Sequence, residues 1–180
     1  MAKCRLIFSG SGGQGVITAS IILAEAAVIH EGLNAIQTQT YGPEARGGAT
    51  RADVIIDEEN INFPKVTQPN VVISLTQAAY DKFSWIIRPG GLLIIDSRYV
   101  KTQRKVDARQ ISLGMYNAVM EKIGKPVVFN TCVLGSLIGL TGLVKPESIM
   151  KVLETRIPRD YVGMNQKALD IGLQLSESFQ

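Results

Sequence analysis

The stretch FSGSGGQGVITASIILAEAA, residues 8–27, decides the fold. A short apolar run, CRLIFS (4–9), enters it and ends in glycines. VITASIILAEAAVIHEG (16–32) then has the apolar density of a helix and stops at Gly32. Gly10, Gly12 and Gly15 stand at G-x-G-x-x-G spacing, with Ser11, Gly13 and Gln14 between them. Glycines let the backbone turn tightly and approach a ligand closely. The helix behind them offers free N–H groups and a partial positive charge to an anion. Gln14 adds an amide able to bond a ligand or a neighbouring chain.

Outward from this unit, strand and helix signals alternate. Strands are predicted at NAIQTQT (34–40), ATRADVIID (49–57), NVVISLT (70–76), LLIID (92–96) and PVVFN (126–130). Within 49–57, Ala52, Val54 and Ile56 share one face, and Arg51, Asp53 and Ile55 the other. That pattern suits a strand with a partly exposed face, antiparallel or near an edge. The uninterrupted run 70–76 suits a central strand. Helices are predicted over 77–87, around 111–123, and at 131–143, 146–155 and 163–178. Pro146 opens one of them, and Pro158 with Gly163 marks the break before the last. The alternation predicts one three-layer α/β/α domain over 1–180, Rossmann-like, with a mostly parallel, mixed sheet.

Composition narrows the function classes. The 180 residues are 46% hydrophobic and 19% charged, as in a folded globular protein, so disorder is excluded. A net charge of +3 is small, and the densest basic run (Lys101, Arg104, Lys105, Arg109) has no nucleic-acid motif beside it. It is expected to be a solvated surface segment. Cys4 and Cys132 are far apart and lack CxxC partners, which argues against a disulfide framework, a zinc site or an iron–sulfur cluster held by this chain. Both are expected to be buried, inert thiols. Met1–Arg5 lead straight into a strand pattern, so no secretory signal is expected. The apolar run 127–144 is split at Asn130 and Thr131 and should not span a bilayer. A cytoplasmic protein follows from these readings.

The glycine loop lacks its usual companions. A dinucleotide site wants an acid about 20 residues further on, at the end of the second strand. Here that strand ends in Gln37, Thr38, Gln39 and Thr40, and no Walker Lys-Ser/Thr follows the loop. Three readings stay open: a phosphate other than a dinucleotide's, a partner's backbone, or tight strand–helix packing. Because valine would strain the turn and block an anion, Gly12 is expected to be sensitive to Gly12→Val.

TYGPEARGGATRADVIID (40–57) is the second unusual stretch. Gly42-Pro43 makes a rigid turn, and Gly47-Gly48 a flexible exit around the charged Glu44 and Arg46. Following the second strand, the loop should lie on the same sheet edge as the glycine loop, where open α/β sheets bind ligands.

GSGGQGV (10–16) with QTYGPEARGGATRADVIID (39–57) resembles the gamma subunit of the 2-oxoacid:ferredoxin (acceptor) oxidoreductases. The resemblance continues through NVVISLTQAAYDKF (70–83), PGGLLIIDS (89–97) and NTCVLGSLIGLTG (130–142). YGPEARGG looks more like the 2-oxoglutarate and branched-chain members than the pyruvate branch, and the indolepyruvate enzymes carry a related domain. The resemblance implies a subunit, inactive alone, of an enzyme that oxidatively decarboxylates a 2-oxoacid to its acyl-CoA. Thiamine diphosphate with magnesium and the iron–sulfur clusters are implied on alpha, beta and ferredoxin-like delta partners, which pass electrons to ferredoxin. This chain is implied to serve assembly and the coenzyme A side, with no catalytic or metal-binding residue of its own. Gly10, Ser11, Gly12, Gly13, Gln14 and Gly15 are then candidates to hold coenzyme A's phosphate region or a neighbouring chain. Tyr41, Gly42, Pro43, Glu44, Arg46, Gly47 and Gly48 are candidates for a subunit interface near the active site. Neither nucleic acid nor membrane is expected as a partner, and the isolated chain is expected to self-associate.

Other residues carry weaker signals. His30, the only histidine, sits where a helix C-terminus would favour positive charge and has no nucleophile beside it. Gly135, Gly139 and Gly142 are expected on one helical face, packing against another element or a subunit. Tyr80 and Trp85 are expected to anchor a core or an interface.

Overall fold

A computed structural model describes residues 3–40, 49–103 and 105–179. Six strands form one sheet in the order β2-β3-β1-β4-β5-β6. They are β1 (Cys4–Gly10), β2 (Asn34–Thr40), β3 (Thr50–Asp57), β4 (Val71–Ser74), β5 (Gly91–Asp96) and β6 (Ala108–Leu113). β1, β4, β5 and β6 run parallel, while β3 lies antiparallel between β1 and β2. The alternating pattern of 49–57 thus marks an antiparallel strand, as its sequence suggests.

Alternation divides the core. Leu6, Phe8, Ala52, Val54 and Ile56 face α1 (Val16–Glu25), α3 (Met115–Lys122), α4 (Phe129–Thr141), α5 (Pro146–Arg156) and α6 (Arg159–Glu177). Ile7, Ile55, Val72, Leu93 and Ile95 face the other way, covered by α2 (Gln77–Phe83), Val66 and Val100. The α/β/α layering therefore holds, with one thick helical layer and one thin. On the thin side Arg51 grips Asp53 through both carboxylate oxygens (2.6 and 2.8 Å) and also donates to the Val66 carbonyl. Asp53 is buried by this pairing, not partly exposed as the alternation implied.

The sixth strand is misplaced in the sequence reading. PVVFN is a 3-10 turn (Pro126–Val128) running into α4, and the edge strand is β6, within the stretch taken for a polar connection and a helix start. Pro126 has no N–H for a ladder, and a short apolar run does not distinguish a strand from a buried helix. β6 buries only Ile111 and Leu113, a pattern too short to read as alternation. The last helix begins at Arg159, so Gly163 lies inside it and marks no break.

Close packing of α4 on α6 follows from their glycines. A Cβ on Gly135 would strike the Leu169 carbonyl, and one on Gly172 the Cys132 carbonyl. Ser136 Oγ donates to the Gly172 carbonyl at 3.2 Å across this contact. Gly142 does not share that face; it ends α4 in a left-handed conformation (φ 62°). Core packing is therefore the use of Gly135 and Gly139. Tyr80 is fully buried, its hydroxyl donating to Gln110, whereas Trp85 is 67% exposed. Cys4 and Cys132 are buried, and burial pushes their thiols up to about 11 and about 12. Neither is poised as a thiolate ligand or nucleophile. Lys101, Lys105 and Arg109 are exposed. No helix among the described residues is long and apolar enough to cross a membrane.

Candidate functional site

The glycine loop joins β1 to α1 at the carboxyl edge of the sheet. Register places Gly10 opposite Thr50, and Thr40 opposite Arg51. The ends of β1 and β2 and the start of β3 therefore meet at one edge. Residues 41–48, with the candidates Tyr41, Gly42, Pro43, Glu44, Arg46, Gly47 and Gly48, lie outside the described residues, but both flanks of that segment are at this edge.

Each residue of the loop has a distinct task. Gly10 ends β1 where a Cβ would stand 2.5 Å from Gln14 Oε1 and 3.2 Å from Leu75 Cβ. Gln14 braces the turn: its Oε1 accepts the Ser11 N–H at 2.8 Å, and its Nε2 donates to the Leu75 carbonyl at 3.1 Å. The amide expected to reach a ligand is thus engaged within the chain. Gly13 is left-handed (φ 87°), as is Gly15 (φ 71°), the residue that caps α1. A Cβ on Gly15 would also lie 2.7 Å from Asn130 Cβ. Gly12 is different. It is exposed, has open space around it and does not need a positive φ, so the strain expected of Gly12→Val is not supported.

No side chain caps α1, and no acid stands in its first turn. Its first internal bond joins the Ala19 N–H to the Gly15 carbonyl, leaving the N–H groups of Val16, Ile17 and Thr18 without partners among the described residues. Of these three residues, Thr18 lines a cleft of about 780 Å³. Its near wall is Gly13, Gln14, Gly15, Thr18 and Ile22. The far wall comes from the chain's second half: Lys125–Val128 ahead of α4, Asn130 and Thr131 in its first turn, and residues around the α5–α6 junction. Thr131 Oγ1 donates to Asn165 Oδ1 at 2.6 Å, and Asn165 Nδ2 donates to the Tyr161 carbonyl, tying α4 to α6 beneath the cleft.

The charge of the cleft is one-sided. Among the described lining residues there is no carboxylate, while Lys125 and Arg156 are cations. Arg156 is held by both carboxylate oxygens of Glu25. That hydrogen-bonded pair keeps the Glu25 carboxyl below its usual range and the guanidinium above its own. Lys125 has no such partner among the described residues, so the described lining carries a positive charge beside the start of α1. Such an arrangement binds anions. Lys125, Asn130, Arg156 and Tyr161 were invisible in the sequence because they belong to elements far from the glycine motif, and 126–130 was read as a strand.

Residues 5–175 match the pyruvate ferredoxin/flavodoxin oxidoreductase family. The chain belongs to this family. It is 39% identical over 171 residues to the 2-oxoglutarate synthase subunit KorC of Methanocaldococcus jannaschii, covering 94% of this chain and 91% of the relative. The crystal structure of the keto/oxoacid ferredoxin oxidoreductase gamma subunit from Geobacter sulfurreducens superposes with a TM-score of 0.90 at 35% identity. That match covers 99% of this chain and 98% of the other. A 2-oxoglutarate:ferredoxin oxidoreductase from Magnetococcus marinus shares the fold (TM-score 0.89, 19% identity), matching 100% of this chain and 32% of that longer one. The fold thus stands both as a chain of its own and as part of a longer one.

Proposed function

We propose that this chain is the gamma subunit of a 2-oxoglutarate:ferredoxin oxidoreductase, which converts its 2-oxoacid oxidatively to the acyl-CoA. The observation that carries this reading is the near full-length similarity to a KorC subunit. Alpha and beta subunits, with a ferredoxin-like delta subunit, hold thiamine diphosphate with magnesium and the iron–sulfur clusters, and decarboxylation and electron transfer occur there. In this reading those cofactors belong to the partners, and this chain contributes in another way. It serves assembly and receives the phosphate region of coenzyme A at the glycine loop, where the uncapped start of α1 lies beside a cleft with no carboxylate among its described lining residues. Residues 41–48 are assigned to contact with a partner subunit, in the cytoplasm.

Co-expression with the partner subunits tests this reading. The assembled complex should reduce ferredoxin with 2-oxoglutarate and coenzyme A, faster than with pyruvate, a branched-chain 2-oxoacid or indolepyruvate. The isolated chain, given free thiamine diphosphate, should turn over none of them. A complex that assembles but prefers another 2-oxoacid would overturn the substrate assignment, and turnover by the chain alone would overturn the division of labour.

A further inference from the structure

We propose that the thin side of the sheet is a docking face for another protein subunit, one that presents acidic groups around an apolar hollow, and that the Trp85 indole fills that hollow. The inference rests on the reading of this chain as a subunit. It gives that subunit a contact surface on the side of the sheet away from the cleft beside α1.

The two faces of the sheet are unequally covered. Helices α1, α3, α4, α5 and α6 pack on one, whereas the other has the seven-residue α2, a 3-10 turn (Ser84–Ile86) and connecting segments. In this thin layer the aromatic side chains do not all turn inward. Phe83 is buried, but Trp85 is 67% exposed and Phe63 is 58% exposed. Ile61 and Ile86, packed on the same cluster, are half-buried. Tryptophan is highly buried on average, and it is among the residue types most enriched where binding energy concentrates.

The segments that carry these side chains are held together. Arg51 stacks over the Phe83 ring at 5.4 Å, donates to the Val66 carbonyl at 2.9 Å and is gripped by Asp53. The Arg88 N–H donates to the Pro69 carbonyl at 3.1 Å, joining the same two segments again. A surface fixed in advance loses less freedom when a partner docks. Ala49, the first described residue after 41–48, packs on this cluster too, so the face adjoins the flank of the segment assigned to a partner subunit.

Charge selects the occupant. Between residues 61 and 90, Lys65, Lys82 and Arg88 are exposed, while the one acid, Asp81, is half-buried and accepts from Gln77 Nε2 at 3.1 Å. Aromatic side chains among exposed cations complement an acidic partner surface and set like charge against a second copy of this chain.

Trp85 is the only tryptophan, so the full chain grown with 5-fluorotryptophan gives one fluorine resonance, and it comes from this residue. Fluorine spectra of the labelled chain, alone and with the unlabelled alpha, beta and delta subunits, test the proposal. Alone, the resonance should shift on exchange of H2O for D2O, as an exposed indole does, and should not depend on chain concentration. With the subunits bound it should move and lose that solvent response. Trp85→Ala should weaken assembly about thirtyfold while melting of the isolated chain is unchanged. Lys65→Glu/Arg88→Glu should weaken it about tenfold and flatten its salt dependence. If the chain does not associate with these subunits at all, the subunit reading fails and this inference with it. If it associates but the resonance keeps its solvent response and both variants assemble as the wild type does, this inference alone is overturned. A resonance that moves with chain concentration, or on phosphatidylglycerol vesicles, but not with the subunits would give the face to a second copy or a membrane and overturn it equally.

Discussion

At the scale of the residue, two glycines of one loop have opposite demands on them. Gly15 is left-handed and pressed against Asn130, whereas Gly12 is neither left-handed nor crowded. Gly15→Ala should therefore cost roughly 1–3 kcal/mol in urea denaturation, from the unfavourable φ and the displaced Asn130 side chain. Gly12→Ala should stay within about 0.5 kcal/mol of the wild type. Equal effects would mean that the loop is not built as described. The G-x-G-x-x-G spacing announced a turn before a helix, and that part was legible. Which glycine is indispensable was not, because the crowding comes from a residue 115 positions further along. Asp96 is a comparable hidden case: at the end of β5 it is fully buried, accepting the Tyr116 N–H at 2.8 Å and the Arg98 N–H at 2.9 Å. Burial raises its pKa, and these backbone donors oppose the rise. Nothing in the string LLIID says that its last residue will anchor the next helix.

Among elements, the α4–α6 contact and the seat of α5 make separate predictions. Gly135→Ala places a methyl group against the Leu169 carbonyl, which belongs to the backbone and cannot swing away. A loss of roughly 1–3 kcal/mol is expected. Gly163 lies in α6 with nothing near its missing side chain, so Gly163→Ala should stabilise by about 0.5–1 kcal/mol. Chemical denaturation of the two variants should give opposite signs.

α5 is held to the first helix region by two acids. Glu25 pairs with Arg156, and Glu31 accepts from Ser148 Oγ (2.6 Å) and the Lys145 N–H (2.9 Å) at the start of α5. Hydrogen bonding keeps both carboxyls below their usual value of 4.5. Their folded-state pKa values lie below the unfolded ones, so their stabilisation is complete above 4.5 and is lost as pH falls through the folded values. Melting temperature should drop on acidification through this window, and the drop should be shallower in Glu25→Gln/Glu31→Gln than in the wild type. A double variant with an unchanged acid slope would remove these two groups from the account.

For the whole molecule, the sheet was legible wherever apolar runs were long and bounded by turn residues, as at 70–76 and 92–96. It was misread where a strand buries only two large side chains, as at Ile111 and Leu113, and where Pro126 introduces an apolar run that is helical. The glycine loop was visible as a motif, but the opposing wall was assembled only by folding. The interface expectation for residues 41–48 belongs to this scale too. Arg46→Ala should leave melting of the isolated chain nearly unchanged yet reduce co-purification with the other subunits. A desolvated interfacial arginine commonly contributes roughly 2 kcal/mol or more, whereas a solvated pair gives about 0–1. Unaltered co-purification and turnover would return that arginine to the solvent.

The order of strands also bears on synthesis. β1 lies in the middle of the sheet, and its neighbours β3 and β4 come from residues 50–57 and 71–74. While the chain emerges from the ribosome, its first strand has no partner until β3 follows some 40 residues later, a wait of about 2–8 s at ordinary elongation rates. During that interval CRLIFS is an unpaired apolar segment. Its protection rests on helix α1, which can form locally, and on whatever holds nascent chains apart.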